Sequence, residues 1–268
     1  MAASLPLLTR SQAAYIRELS RDKGVRAQNG SFVVEGTHAV GDLLTRYPGQ
    51  ILSIVTASGY LQSERLRRQL VQVASSTKQY CCSDLQFSRL SDLDTPQGIL
   101  AVVRQPTWDE GNVLRQPTLL GVFGEKLQDP ANVGAIIRTA AALNASALWL
   151  SPESADVYHP KVVRATSGAL LALPIFPARD VSDFVRHGCQ VFAAEVTGDG
   201  AVSIDEIQRA PRKLVLAVGN ESRGLSAQIR RQATTRFTIP LSRDIESLNV
   251  AATVAIATFY FSRLPKGE

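Results

Sequence analysis

Residues 119–150 read LLGVFGEKLQDPANVGAIIRTAAALNASALWL. LLGVFG is a short apolar run of strand type, and ALWL at 147–150 is another. Between them Asp129 and Pro130 form a helix start, with the Asp as cap and the Pro in the first turn. The helix that follows, NVGAIIRTAAAL (132–143), is small or apolar almost throughout. Strand, helix and strand in this order predict a βαβ unit with parallel strands. Within the helix Arg138 stands apart as a full charge, one turn beyond Gly134 and Ala135.

The same alternation runs outward from this unit. Toward the C-terminus come KVVRATSGALLAL, PIF, SDFVRHG, QVFAAEV, KLVLAVGN, SAQIRRQA and RFTIPL, then a long final helix over Ser247–Leu264. Several of the strands are continuous apolar runs, which predicts a mostly parallel sheet covered on both faces. Residues 31–103 alternate likewise, through FVVEG, THAVGDLLTRY, QILSIVTA, SERLRRQLVQVA, QYCCS and GILAVV, and predict a smaller α/β domain. The intervening RQPTWDEGNVLRQPT is polar, carries Pro106, Gly111 and Pro117, and has no clear period. The expected organisation is therefore a domain at 1–104, a linker at 105–118 and a second domain at 119–268.

Composition narrows the function. With 268 residues and 45% apolar content the chain has material for a sizeable core. Its 29 Lys and Arg against 24 Asp and Glu give +5, which suits a polyanionic partner without requiring one. Cys81, Cys82 and Cys189 have no zinc-site spacing, and His38, His159 and His187 belong to no metal motif, so a metal-dependent mechanism is disfavoured. There is no G-x-S-x-G elbow and no G-x-G-x-x-G fingerprint, which argues against a hydrolase and a dinucleotide-dependent oxidoreductase. The longest apolar run, Val250 to Phe261, is too short to cross a bilayer, and the basic N-terminal stretch contains Glu18 and Asp22, so it is read as the first helix of a cytoplasmic protein.

In open parallel sheets ligands gather beyond the carboxyl ends of the strands, and three strand-end loops draw notice there. GEKLQDPANVGAIIRTA (124–140) offers Asn132 in the first turn and Arg138 beyond it. LAVGNESRGLS (216–226) is a glycine-bounded turn around Asn220, Glu221, Ser222 and Arg223. FTIPLSRDIESLNVAATVAIA (237–257) ends a strand and opens the final helix, with Ser247 placed to cap it and Asn249 in its first turn. Each has an ordinary reading: a snorkelling Arg, a mere turn, a locally bonded Asn. Their common topological position makes the set more telling than its parts.

These three stretches, in this order and spacing, resemble the motifs of the SpoU/TrmH family of the SPOUT superfamily. FVVEGTHAV, DTPQGILAVV and VVRATSGAL extend the resemblance over nearly the whole chain. The resemblance implies an S-adenosylmethionine-dependent RNA ribose 2′-O-methyltransferase whose catalytic domain is a mostly parallel sheet closed by a deep C-terminal trefoil knot. It implies a homodimer, with neither membrane nor metal involved. Carried over by motif, Arg138 acts on the ribose 2′-hydroxyl, while Asn132, Glu221, Ser247 and Asn249 arrange the site. Gly219, Ile239, Leu241 and Leu248, with Asn249, are the expected cofactor-binding positions, mostly through backbone groups. Family members often have Gly in the loop of the third motif and Ser after SLNV; here the loop is SRDIE, with Arg243 and Asp244, and Ala251 follows SLNV.

The N-terminal domain resembles the L30e-like substrate-binding domain of such enzymes, and Arg10, Arg17, Arg21, Lys23, Arg26, Arg65, Arg67 and Arg68 are its candidates for tracking RNA phosphates. Relatives with this domain point first to large-subunit (23S) ribosomal RNA and second to tRNA. A catalytically inactive RNA-binding relative is the alternative of a different class, against which the intact Asn132, Arg138, Glu221 and Asn249 weigh.

Overall fold

The computed structural model describes residues 5–60, 77–178, 180–196, 200–243 and 245–267. The expected helix SERLRRQLVQVA, with Arg65, Arg67 and Arg68, and the loop residue Asp244 lie outside the described residues. The chain divides into two compact units, one of residues 1–107 and 156–171, the other of residues 108–155 and 172–268.

The first unit opens with α1 (Arg10–Arg21) and α2 (Lys23–Asn29). Thr9 starts α1 with a reciprocal capping box to Gln12, and Asp22 both interrupts the helical run and caps α2 by accepting from the Val25 amide at 3.0 Å. The strands are β1 (Ser31–Glu35), β2 (Ile51–Ala57), β3 (Lys78–Cys82) and β4 (Ile99–Arg104), with α3 (Thr37–Arg46) and α4 (Asp84–Ser88) between them. Their order is β1-β4-β2-β3, antiparallel except for the β2/β3 pair, so this sheet is mixed.

Residues 156–171 fall inside the expected 119–268 stretch but fold with this first unit. Packing supplies the reason. Val162 and Val163 of a short helix (Pro160–Ala165) are buried, and the ring of Tyr158 lies 5.0 Å from that of Phe32 on β1. Arg26 is 2% exposed; it donates through Nε to Asp156 Oδ2 at 3.0 Å and through Nη1 to the Leu19 carbonyl at 2.7 Å. Arg26 therefore serves the interior of this unit, which corrects its place among the phosphate-tracking residues.

The second unit carries a seven-stranded sheet. In chain order its strands are β5 (Leu119–Gly124), β6 (Ala147–Leu150), β7 (Ile175–Pro177), β8 (Gln190–Glu195), β9 (Val202–Ser203), β10 (Lys213–Val218) and β11 (Thr235–Thr238). Spatially they run β7-β6-β5-β10-β8-β11-β9, and every pair is parallel, as the apolar runs predicted. One face holds Trp149, Phe123 and Phe184 in edge-to-face contact, and the other holds Phe192, Phe237 and Phe261. Gly121 is required there: a Cβ would sit 2.4 Å from the Trp149 ring.

The expected linker is not wholly irregular. Residues Glu110–Leu114 form a one-turn helix capped by Asp109, with Val113 and Leu114 buried in the second unit. Glu110 accepts from the Trp149 indole at 2.6 Å, which satisfies a buried donor. Five residues are too few for a period to show in sequence.

Candidate functional site

The chain leaves β5 and β6 on one side of the sheet and later inserts β10 between β5 and β8, so the order reverses around β5 and β10. The loops of the first two motifs begin at the carboxyl ends of β5 and β10, and that of the third begins at the carboxyl end of β11, on the far side of β8. The helix after β5, α5 (Pro130–Ala142), is capped by Asp129, which accepts from the Ala131 amide at 2.9 Å. It buries Asn132, Val133, Ile136 and Ile137 and leaves Arg138 exposed on another flank.

Asn132 joins the three motifs. Its amide nitrogen donates to Glu221 Oε1 at 3.0 Å, and its Oδ1 accepts from the Asn249 amide at 2.8 Å. With one group donating and the other accepting, the amide at position 132 serves both neighbours. Burial pushes the Glu221 carboxyl up, but the Asn132 amide and the backbone amides around Glu221, Asp129 and Gln128 outweigh it and hold the group below the usual carboxylate range. Glu221 is therefore a charged acceptor at neutral pH.

The turn bearing Glu221 is fixed by its own residues. Asn220 Oδ1 accepts from the amides of Ser222 and Arg223 at 3.0 and 3.1 Å, and its amide donates to the Lys126 carbonyl at 2.9 Å. At Gly219 a Cβ would lie 2.1 Å from the Gly224 carbonyl carbon, so no other residue fits. Glu125, just past the end of β5, is 8% exposed and accepts from the Ser226 amide at 2.7 Å, tying the first loop to the second. Glu125 and Asn220 lie within stretches whose importance was legible, yet nothing in their spacing separates them from ordinary loop residues.

The third loop differs from its expected start. The last helix, α6, spans Val250–Arg263, and its cap is Asn249, whose Oδ1 accepts from the amides of Ala251 and Ala252 at 2.9 and 3.4 Å. Ser247 is exposed in the loop before it and is not the cap. Asn249 can do both jobs because its oxygen faces the helix while its nitrogen faces Asn132. Gly219 and Ile239 directly follow the last residues of β10 and β11, and Leu241, 37% exposed, lies two residues beyond Ile239; Leu248, half-buried, precedes the cap. Arg243 has φ 62°, in the left-handed region that glycine adopts most readily, at the loop where the family often carries Gly.

In the first unit, Arg10, Arg17 and Arg89 rim a groove of about 580 Å³ floored by Leu8, Ala13 and Leu90. All three arginines are exposed, as are Arg21 and Lys23.

A parallel sheet with a reversal in strand order, and a polar network spanning three of its strand-end loops, defines an α/β protein with a candidate site at its strand ends. The chain belongs to the SpoU rRNA Methylase family, which it matches over residues 120–259, and residues 12–101 match the MRM3-like substrate binding domain. It is 29% identical over 248 residues to a 23S rRNA (uridine-2′-O)-methyltransferase of Streptomyces viridochromogenes, covering 90% of this chain and 84% of that protein. It is 28% identical over 240 residues to a 23S rRNA (guanosine-2′-O)-methyltransferase of Bacillus subtilis, covering 89% and 91%. Among solved structures, an S-adenosylmethionine-bound rRNA methyltransferase from Sinorhizobium meliloti superposes with a TM-score of 0.77 at 30% identity, covering 97% of each chain.

Proposed function

We propose that this protein methylates the ribose 2′-hydroxyl of RNA with S-adenosylmethionine, and that its substrate is large-subunit ribosomal RNA. The observation that carries the reading is the Glu221–Asn132–Asn249 network, which holds three family motifs in one arrangement. Two relatives of similar identity are named for 23S rRNA 2′-O-methylation, one of a uridine and one of a guanosine, which favours a shared ribose chemistry over a shared base.

The residues present fit the cofactor. Gly219, Ile239, Leu241 and Leu248 offer backbone groups at the strand ends, and the exposed side chains of Leu241 and Ile245 offer apolar surface. When bound there, S-adenosylmethionine supplies an activated methyl group. The protein's part is to place the 2′-oxygen in line with it, which is where an enzyme gains most in such a transfer. The planar guanidinium of Arg138 suits a forked contact to an RNA phosphate, from which it steadies the developing alkoxide. Asn132, Glu221, Asn249 and Ser247 shape the loops around that point.

The exposed arginines of the first unit suit RNA phosphates, and Ile256 and Phe259, exposed three residues apart on one face of α6, suit a homodimer contact. The deep C-terminal knot belongs to the same proposal. Incubation with methyl-labelled S-adenosylmethionine and separate pools of unmodified rRNA and tRNA tests it. Label is expected at one ribose of 23S rRNA; label confined to tRNA would replace the substrate, and label in neither pool would leave an inactive RNA-binding relative. Arg138→Lys keeps the charge and loses the fork, so it is expected to lower the methylation rate roughly a hundredfold while leaving S-adenosylmethionine affinity unchanged.

A further inference from the structure

Glu195 ends β8, the strand lying between β10 and β11. The β10/β8 register pairs Ala217 with Ala193, which puts Gly219 level with Glu195; on the other side Thr238 pairs with Glu195 directly, and Ile239 follows. Glu195 thus sits between the strand ends that carry the second and third motifs. Its side chain is 6% exposed, and both carboxylate oxygens are buried and accept no hydrogen bond among the described residues. Its charge is met by Arg236 Nη1 at 3.7 Å, well beyond the roughly 2.7–2.9 Å of a charge-assisted hydrogen bond.

This is unlike the treatment of the other buried carboxylate of the region. Glu125 accepts the Ser226 amide at 2.7 Å and so has a structural employment. A buried acceptor with no donor is costly, and such groups persist where they serve a ligand. A carboxylate presents two oxygens side by side, which match two adjacent hydroxyl donors. Arg236 already balances its charge, so neutral donors complete the site without a second cation.

We propose that Glu195 binds the 2′- and 3′-hydroxyls of the ribose of S-adenosylmethionine, and so helps to set its affinity. The inference rests on the reading that the ends of β10 and β11 hold this cofactor. A side-chain contact of this kind would add to the backbone groups expected to bind it at Gly219, Ile239, Leu241 and Leu248.

Titration calorimetry on the full chain tests it with S-adenosylmethionine, S-adenosylhomocysteine, its 2′- and 3′-deoxy forms, and 5′-methylthioadenosine, which keeps the ribose and lacks the amino-acid end. Glu195→Gln keeps the shape and is expected to weaken all three ribose-diol ligands alike, by roughly tenfold to a hundredfold. The deoxy forms should bind the wild type more weakly than the parent and lose little further on substitution. Equal affinities for wild type and variant would overturn the proposal. So would a loss confined to ligands bearing the amino-acid end, with methylthioadenosine unaffected, since that moves the carboxylate to the ammonium group. If Glu195→Gln does not fold, the wild-type comparison decides alone: deoxy forms binding as tightly as the parent overturn the assignment. Wild-type protein that binds no S-adenosylmethionine at all refutes the functional reading itself, a different result from binding that ignores the ribose.

Discussion

The Asn249 side chain donates to Asn132 across 2.8 Å while its oxygen caps the last helix, so a single amide fastens the start of α6 to the first turn of α5. The position of the final helix is thereby coupled to the acceptor state of Asn132, and through Asn132 to Glu221 at 3.0 Å. Substituting Asn132→Asp keeps the acceptor for Asn249 but sets a second carboxylate against Glu221. Stability is expected to fall by about 1–3 kcal/mol in denaturant titration. Adding Glu221→Gln to the Asn132→Asp variant should recover part of it, because a donor is restored to that pair.

Gly219→Ala tests the second turn. The added Cβ meets backbone atoms of Gly224 and Leu225 at 2.1 and 2.2 Å, and backbone cannot swing aside as a flexible side chain can. The turn must open. Loss of S-adenosylmethionine binding by calorimetry, with the far-ultraviolet circular dichroism of the sheet retained, is the expected result.

Arg26→Met would remove a buried cation and strand Asp156. Breaking a buried pair from one side costs about 3–5 kcal/mol, so the variant should unfold at much lower denaturant than the wild type. Pairing it with Asp156→Leu should return most of the stability, since two apolar groups leave no charge uncompensated.

His159 makes stability depend on pH. Burial first, then the charge of Arg26, hold its imidazole below the ordinary 6.5, and its neutral Nδ1 caps the Pro160–Ala165 helix by accepting from the Lys161 amide at 3.2 Å. A histidine depressed in the fold takes up its proton more readily when unfolded, so its contribution is complete above about pH 6.5 and is lost as pH falls toward the lowered value. Melting temperature should therefore drop between about pH 7.5 and 5.5. His159→Asn, a capping residue that does not titrate, should remove that part of the drop; an identical pH profile in the variant would show that the ring plays no part.

The βαβ unit at 119–150 was legible because apolar runs and a helix start are local properties, and the all-parallel sheet followed from strands that are apolar on both faces. The site was legible at the level of motifs. Its wiring was not: Ser247 and Asn249 both suit a helix cap, and only the partner at Asn132 determines which one serves. Arg26 carries the same letter as the exposed Arg10 and Arg17, and its burial depends on Asp156, 130 residues away. Glu195 ends a strand whose middle is apolar, and its place between the two motif-bearing strands appears only when β10 and β11 are seen on either side of it.

The first unit takes its last segment, residues 156–171, from beyond β5, α5 and β6. During synthesis it stays incomplete until residue 171 has left the ribosome, by which time the whole βαβ unit at 119–150 has already emerged. Arg26 has to wait for Asp156 through that interval. Truncation near residue 107 should therefore yield a fragment with an uncompensated interior charge, prone to aggregate, while fusing residues 156–171 to residue 107 through a flexible linker should relieve it.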